Sequence, residues 1–479
     1  MGARRRRIGW VLFATLLFSY GYVHQRSGWN QTVRLDLLHA LFKKGTVAID
    51  DYHTNTGDKA KVGDHYYSEK APGGTIVALP AFALAAMALG VVNVDIDSPL
   101  GWKVTEWVAT AGSVGLITAV GGLAFFSFLA RRTGERGAAL ATLGVFLGAM
   151  PFPYATALWG HGLVMAAFFI ALWALDRTLG EEEPVLDALI GFCCGLAVAG
   201  EYPAALAAAP VFVVMLTMGP RRALRFIAGA LPPLLVIPIY HWLVTGSPFA
   251  LPYSGAVGFP GMRARFVGFG APDPAVAFQL LLGEYRGLFF WSPILILCLP
   301  GFPTLWRRSR RLFWLAVTVP VAMVVAMSAY PYWNGGWTLG PRLLAPAVPF
   351  LAVAAGVGFA RLPRVAVCAG ATSVLLVSLA TFADAMPPQG VLRPLRDFYW
   401  PRVLAGNVAM NLGPLAGLRG WWSVVPVVVV ICAAVTAVLL CCRPPRPDAT
   451  PHESDTPDDD AAGTSGVGGG DRVEPWPVP

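Results

Sequence analysis

Residues 46–74 read TVAIDDYHTNTGDKAKVGDHYYSEKAPGG, a polar stretch that lies between the apolar runs 8–24 and 75–92. Acidic, basic, imidazole and phenol side chains alternate within it, and it ends in the rigid turn Pro72-Gly73-Gly74. Elsewhere the chain is so apolar that charged residues make up only 13% of the whole. A solvated loop would account for charge alone. The mixture of acid, base and ring favours a functional site between two lipid-soluble regions.

Composition identifies the class of protein. Hydrophobic residues make up 56% of the 479 residues, and the mean hydropathy is +0.58. Such a chain cannot surround a core with a polar surface, so we expect an all-α, polytopic membrane protein. The net charge of +8 resides in short Arg tufts at the ends of apolar runs. Tufts of this kind orient membrane helices, which argues against nucleic acid as a partner.

Apolar runs long enough for a hydrocarbon core of about 30 Å predict about 12 spans. They are 8–24, 104–130, 137–155, 161–177, 186–200, 203–219, 226–245, 287–305, 312–330, 343–360, 365–384 and 423–441. The first run lacks a small-residue cleavage site, which favours an uncleaved span over a signal peptide. The run 75–92 is then predicted to lie at the outer interface or to dip into the membrane without crossing.

The positive-inside rule tests this count. With twelve spans and no crossing at 75–92, every tuft faces the cytoplasm, and so do both termini. The tufts are Arg4 to Arg7, Arg131-Arg132 with Arg136, Arg221-Arg222 with Arg225, Arg307-Arg308 with Arg310-Arg311, Arg361 with Arg364, and Arg443 with Arg446.

Residues 1–442 are thus predicted to form one transmembrane domain, with 25–103 as its first outer loop and an interfacial helix within that loop. The segment 443–479 is rich in Asp, Pro and Gly and is predicted to be a disordered cytoplasmic tail. Acidic and aromatic residues collect in the outer loops, where no nucleotide is available. An enzyme working there needs a donor that arrives through the membrane.

The layout resembles the GT-C superfamily of integral-membrane glycosyltransferases, in particular the bacterial members similar to protein O-mannosyltransferases and lipid A aminoarabinose transferase. The resemblance rests on the cytoplasmic-start helix, an Asp in a long first outer loop, and the segment Glu69-Lys70-Ala71-Pro72 before an interfacial helix. It implies sugar transfer from a polyprenyl-phosphate donor to a glycan, lipid or protein acceptor. The reaction would occur on the extracytoplasmic face of the cell membrane, as part of cell-envelope synthesis.

The resemblance also implies catalytic residues. The first-loop Asp of the family matches Asp50 or Asp51, and a carboxylate there would act as the general base on the acceptor hydroxyl. The leaving phosphate needs cations, for which Lys70, Arg286 and Arg342 are the candidates. Arg suits this role because its planar fork binds phosphate at two points.

Further polar residues on the predicted outer face are candidates for substrate binding, although interfacial anchoring explains several of them equally well. They are Asp58, His65, Tyr67, Glu69, His161, Glu201, Tyr202 and Trp333. Asp50, Asp51 and Glu69 supply carboxylate oxygens that suit a divalent metal, but no diagnostic ligand spacing accompanies them, so metal dependence stays open.

Two other classes of protein remain as alternatives. A transporter or flippase of a lipid-linked glycan also has about twelve spans, but it usually shows related halves and charges near the midplane. No internal repeat is detectable here, and the charges lie in outer loops. A purely structural scaffold leaves the charged first loop unexplained.

Overall fold

The computed structural model describes residues 2–264 and 268–442, so the predicted tail 443–479, with Arg443 and Arg446, lies outside the described residues. Within them the chain forms nineteen α-helices and four short strands. The helices are α1 (Ala3–Tyr22), α2 (Trp29–Lys44), α3 (Gly73–Val91), α4 (Pro99–Thr110), α5 (Leu116–Ala130), α6 (Glu135–Gly148), α7 (Pro151–Ala155), α8 (Gly160–Thr178), α9 (Pro184–Gly200), α10 (Ala205–Thr217), α11 (Pro220–Thr245), α12 (Pro274–Leu281), α13 (Leu288–Trp291), α14 (Cys298–Arg308), α15 (Arg310–Ser328), α16 (Val348–Arg361), α17 (Pro363–Ala383), α18 (Trp400–Leu404) and α19 (Val425–Cys441). The strands are β1 (Val23–His24), β2 (Lys59–Val62), β3 (His65–Ser68) and β4 (Met410–Asn411).

Eight helical stretches in the described part of the chain are long and apolar enough to cross a membrane. They are Gly73–Val91, Pro99–Ala130, Gly160–Thr178, Pro220–Thr245, Arg310–Ser328, Arg342–Arg361, Pro363–Ala383 and Gly420–Cys441. The predicted all-α, multi-pass membrane architecture is therefore confirmed. The finer count of twelve spans stays a prediction.

The stretch Gly73–Val91 is the run that the charge pattern placed outside the spans. It is a continuous helix of sufficient length and hydropathy to cross. It packs against α2, α4 and α9. That it lies at the interface without crossing remains a prediction from the Arg tufts.

Two expected spans are interrupted, both at proline. The run 287–305 divides into α13, a 3₁₀ turn over Pro293–Leu297, and α14. Ser292, the residue before Pro293, has a non-helical ψ of 66°, and Pro293 has no N–H to donate, so the helix is interrupted at this point. The run 137–155 divides in the same way before Pro151, leaving α6 with fourteen residues.

The helix α8 lies at the centre of the molecule, since nearly all of its side chains are buried. It packs against α5, α9 and α16. Its first residues lie beside the polar segment that contains Lys70, and its last residues lie beside Arg tufts. The helix therefore connects two charged regions at opposite ends of the molecule.

The segment after α1 and the segment before α19 are joined by a short antiparallel pairing of β1 with β4, in which Val23 faces Asn411. A second antiparallel pair, β2 with β3, forms a hairpin within the stretch 46–74. This hairpin determines which side chains of the stretch come together.

Candidate active site

The β2–β3 hairpin places two acidic residues of the polar stretch, Asp58 and Glu69, beside each other. Its strands pair Lys59 with Ser68 and Val62 with His65, across the two-residue turn Gly63-Asp64. Gly63 adopts a φ of 60°, a left-handed conformation that glycine takes without steric cost. The next pair in this register, one position further from the turn than Lys59 and Ser68, is Asp58 and Glu69.

Three charged side chains form a buried cluster at the open end of the hairpin. The Lys70 Nζ lies 3.1 Å from Asp58 Oδ2 and 2.8 Å from Glu69 Oε1. All three side chains are buried. The backbone N–H of Asp58 donates to Thr56 Oγ1 at 3.0 Å, which fixes the local turn. We call Asp58, Glu69 and Lys70 the acid–lysine cluster.

Burial and mutual attraction set the charges of the cluster. Burial lowers the pKa of Lys70, but the carboxylates of Asp58 and Glu69 outweigh it, and the net pKa is raised. Burial raises the pKa of Glu69 by more than the neighbouring Lys70 lowers it. Glu69 Oε2 is also buried without a hydrogen-bond partner. Lys70 therefore stays charged, and burial favours the protonated form of Glu69.

A second buried cluster lies directly beside the first. Arg34 Nη2 lies 2.7 Å from Glu201 Oε1, and His161 Nδ1 lies 3.1 Å from the same oxygen. Arg34 also donates from Nη1 to the carbonyl of Ala71 at 3.0 Å, next to Lys70. Burial would raise the pKa of Glu201, but His161 and Arg34 outweigh it and lower the pKa to about 2. This places the predicted candidates Glu201 and His161 at the site.

Arg34 was not predicted from the sequence. Its only signal is a basic residue between the first span and the polar stretch, on the side where the positive-inside rule disfavours one. Its side chain is almost fully buried. A buried guanidinium is retained only with partners, and Glu201 and Ala71 supply them.

Arg342 is the third cation of the site. It begins a 3₁₀ helix, Arg342–Ala347, and lines a narrow cavity with His161 and Glu201. Its charge also acts on Lys70. Across the ranges 2–264 and 268–442 no carboxylate forms a salt bridge with it, and its Nε is buried without a hydrogen-bond partner. Unlike Lys70 and Arg34, it is a cation without a bound anion.

The loop beside Arg342 is shaped to fit that side chain. Gly335 has a φ of 69°, and a Cβ built there would lie 2.9 Å from Arg342 Cγ. Arg286 holds this loop, since it donates to the carbonyls of Asn334 at 2.8 Å, Gly336 at 2.6 Å and Thr338 at 2.5 Å. The predicted phosphate-binding role of Arg286 stays a prediction. The hydrogen bonds show that Arg286 holds this loop through its backbone carbonyls.

The predicted bases Asp50 and Asp51 lie on the exposed side of the hairpin, outside both clusters. Asp50 accepts from His65 Nδ1 and from the backbone N–H of Tyr66, each at 2.7 Å. Burial raises the pKa of Asp50, but the hydrogen bonds from Tyr66 and His65 together outweigh burial, and the net pKa is lowered. Asp51 is half exposed and pairs with Lys44. Their catalytic roles stay predictions, but the geometry does not bring them to Lys70.

The remaining candidates are more distant. His65 is exposed and contacts Asp50, and Tyr67 faces Ala60 across the hairpin. The hydroxyl of Tyr202 lies 2.9 Å from His241 Nε2, and the ring of Trp333 meets Tyr285 edge to face. Within the described residues no three His, Cys, Asp or Glu side chains form a group that could hold a metal. Asp50, Asp51 and Glu69 each engage a different partner.

A row of aromatic rings borders the acid–lysine cluster. Trp29 meets Phe259 at 6.2 Å between ring centroids, and Phe259 meets Tyr332 at 5.2 Å, both edge to face. Lys70 Nζ lies 5.8 Å from the centroid of Phe259. The rings come from three segments that are distant in sequence, which is why the sequence did not indicate the row.

A buried carboxyl group supports the segment that carries Asp58. Asp36 is fully buried, accepts from Asn55 Nδ2 at 3.2 Å, and has Oδ2 without a partner. Burial raises the pKa of Asp36 to about 8. Because this pKa exceeds the unfolded value of 3.8, the folded state binds the extra proton, and stability falls as the pH rises from about 4 to about 8.

Replacing Asp36 by Asn removes this titration while keeping the size of the side chain. We expect the variant to gain stability over the wild type above pH 8, by on the order of a few kcal/mol, and to gain none at acidic pH. The measurement is the thermal unfolding midpoint of the detergent-solubilised protein across that range. The exposed Asp64→Asn is the control and should follow the wild type. Parallel pH curves for Asp36→Asn and the wild type would contradict the prediction.

Comparison with solved structures finds similarity to membrane glycosyltransferases of the GT-C superfamily, the superfamily that the sequence resembles. ArnT from Cupriavidus metallidurans, solved bound to undecaprenyl phosphate, is 17% identical over 91% of this chain and 75% of its own, with a TM-score of 0.49. Archaeal oligosaccharyltransferase AglB from Archaeoglobus fulgidus, in complex with an inhibitory peptide and a dolichol-phosphate, is 10% identical over 91% of this chain and 55% of its own, with a TM-score of 0.43. The Archaeoglobus fulgidus oligosaccharyltransferase in complex with Zn and sulfate is 12% identical over 81% of this chain and 52% of its own, with a TM-score of 0.41.

The chain thus spans three quarters of the length of ArnT and about half that of the archaeal enzymes. No protein-family model matches the sequence, and no curated protein matches it. A similarity at this level of identity does not identify a substrate or a catalytic residue. Function must therefore be inferred from the site itself.

Proposed function

We propose that the protein is a membrane glycosyltransferase that moves a sugar from a polyprenyl-phosphate donor to a glycan, lipid or protein acceptor. The reaction would take place on the extracytoplasmic face of the cell membrane, with both termini in the cytoplasm. One observation carries the proposal. Arg342, which forms no salt bridge with a carboxylate among the residues that the structure describes, lies beside the acid–lysine cluster, so the site has both an anion-binding group and a base.

The donor phosphate would bind between Arg342 and Lys70. Arg342 offers a planar fork that matches two phosphate oxygens, whereas Lys70 offers a compact point charge. As the bond from sugar to phosphate breaks, negative charge grows on the leaving phosphate. Fixed cations in a buried site stabilise that charge more strongly than water does. Lys70 and Arg342 thereby keep the role that the sequence suggested for them.

The acceptor would be activated by Asp58. Its carboxylate lies 3.1 Å from Lys70 Nζ, so a hydroxyl that hydrogen-bonds to it also lies close to the donor phosphate. A carboxylate in this position can take the hydroxyl proton as the new glycosidic bond forms. Asp50 and Asp51, by contrast, are engaged with His65 and Lys44 on the exposed side.

The aromatic row supports a sugar as the transferred group. The C–H faces of a pyranose or furanose ring are apolar and pack against aromatic rings, while the hydroxyl groups need polar partners. The apolar surface for the sugar ring comes from Trp29, Phe259 and Tyr332. The polar partners for its hydroxyl groups are Glu69 and Asp58. A transporter of a lipid-linked glycan is the alternative. It is less well supported because charged side chains lie at the two ends of α8, whereas transporter sites lie near the midplane.

The proposal is tested through the role of Arg342 in binding the donor phosphate. With purified full-length protein and a labelled sugar on polyprenyl phosphate, we expect Arg342→Ala to lower transfer about 10²–10³-fold. Arg342→Lys should fall between this variant and the wild type, because it keeps the charge but loses the fork. Arg393→Ala, which removes an exposed Arg of the last outer loop, is the matched control and should retain full activity. Equal transfer by all four proteins would contradict a role for Arg342 in binding the donor.

A further inference from the structure

A second charged cleft lies at the other end of the molecule. Arg tufts from two separate loops converge there on the last turn of α8 and enclose a space of about 630 Å³. The cleft is lined by Arg131, Arg132, Asp176, Leu179, Arg308, Ser309, Arg310 and Arg311. We call it the arginine cleft. The positive-inside rule assigns these tufts to one side of the membrane, but nothing along the chain indicates that they meet.

The arginine cleft holds far more positive than negative charge. Five guanidinium groups surround one carboxylate, that of Asp176, and Arg132 donates to it from Nη1 at 2.8 Å. In the part of the chain that the structure describes, no acidic side chain forms a salt bridge with the other four. Burial and the neighbouring Arg177 lower the pKa of Arg131. Like charges gathered in one cleft repel one another unless an anion binds between them.

The cleft is remote from the candidate active site. His161, at the active site, and Asp176, in the cleft, stand fifteen residues apart on α8, which corresponds to about 22 Å. The helix α15 likewise begins at Arg310 in the cleft and ends at Ser328, close to the aromatic row. The cleft therefore lies where these two candidate spans leave the membrane. An anion bound there cannot be the donor phosphate at Arg342.

The surroundings of the cleft suit the boundary between headgroups and acyl chains. Trp306 and Trp314 are about 40% and 51% exposed, and they contact each other beside the tuft. The guanidinium carbon of Arg310 lies 4.8 Å from the Trp306 ring centroid. Exposed Trp beside Arg at a helix end is typical of the membrane interface, where basic pockets between helices bind lipid phosphates.

We propose that the arginine cleft binds the phosphate-bearing headgroup of an anionic phospholipid. Guanidinium forks match phosphate oxygens in pairs, and several of them from separate loops can hold one headgroup from different sides. The bound lipid would neutralise the cleft and join the α5 end of the molecule to the α14–α15 loop. This site is independent of the proposed glycosyl transfer, since it uses none of the same residues.

The test compares lipid retention by purified full-length proteins. Wild type, Arg310→Gln/Arg311→Gln and the control Arg221→Gln/Arg364→Gln are titrated in detergent with cardiolipin or with phosphatidylcholine. The bound lipid is counted by native mass spectrometry. The control removes two exposed Arg residues that lie outside the cleft. We expect wild type and control to bind cardiolipin in preference to phosphatidylcholine, and the cleft variant to bind it about thirtyfold more weakly.

Inorganic phosphate serves as a competitor and separates lipid from free anion. Failure of inorganic phosphate to displace cardiolipin supports the lipid assignment, whereas displacement at equal concentration would overturn it. Equal cardiolipin binding by the cleft variant and wild type would overturn the site. An equal loss in the control would also overturn it, because it would show a diffuse basic surface. Matching elution profiles and unfolding midpoints confirm that all three proteins are folded.

Discussion

Replacing Asp58 by Asn is expected to lower sugar transfer about 10²–10⁴-fold while donor binding survives. Asn keeps the shape of the side chain and can still contact Lys70, but it cannot accept the proton of the acceptor hydroxyl. The loss should therefore appear in the rate of transfer more than in the concentration of donor needed for half-maximal rate. The measurement is transfer of labelled sugar from polyprenyl phosphate by the purified protein, with donor binding followed in parallel.

The matched controls for Asp58→Asn are Asp50→Asn and Asp51→Asn, which change the two carboxylates that the family resemblance favours. Both should retain transfer close to that of the wild type, because their side chains are exposed and engaged elsewhere. If either one loses activity while Asp58→Asn keeps it, the base lies on the outer side of the hairpin. If all three variants transfer sugar normally, the transporter becomes the better interpretation.

Replacing Arg34 by Met is expected to destabilise the folded protein by about 3–5 kcal/mol. The change leaves Glu201 beside His161 without its guanidinium, and it leaves the carbonyl of Ala71 without its donor. The cost is large because the site is buried and water cannot replace the lost partner. The measurement is the free energy or midpoint of unfolding in detergent.

A double variant separates the charge from the packing at this pair. Arg34→Met/Glu201→Gln removes both ions and should recover most of the lost stability, since no unpaired charge remains. The exposed pair of Arg396 with Asp397, 3.6 Å apart, provides the comparison. Arg396→Met should leave the unfolding midpoint unchanged, because exposed ion pairs are screened by water. A double variant as unstable as Arg34→Met would show that packing alone is responsible.

The choice between Asp58 and the pair Asp50 and Asp51 shows a limit of prediction from local sequence. The family resemblance favours Asp50 or Asp51, but a position along the chain does not determine which way a side chain faces. The turn Gly63-Asp64 between KAKV and HYYS predicts a two-residue hairpin. A hairpin in this register brings Asp58 beside Glu69.

The two Arg candidates show a different limit. Arg286 and Arg342 looked alike in sequence, each at the outer end of a predicted span near glycine and aromatic residues. Arg286 is fully buried and bound to backbone carbonyls, whereas no carboxylate of residues 2–264 or 268–442 forms a salt bridge with Arg342. Whether a guanidinium is free to bind a ligand depends on the carbonyls that surround it, and these come from distant segments.

The sequence alone determined the multi-pass helical class, and it predicts a functional site in the stretch that contains Lys70. Hydropathy and charge are summed over neighbouring residues, and a membrane requires long apolar runs whatever the tertiary contacts. Only the tertiary structure decided which charges meet. Arg34 and Glu201 are 167 positions apart, and the tufts of the arginine cleft belong to different loops. Their pairing depends on how the helices pack around α8, which no single segment of the chain encodes.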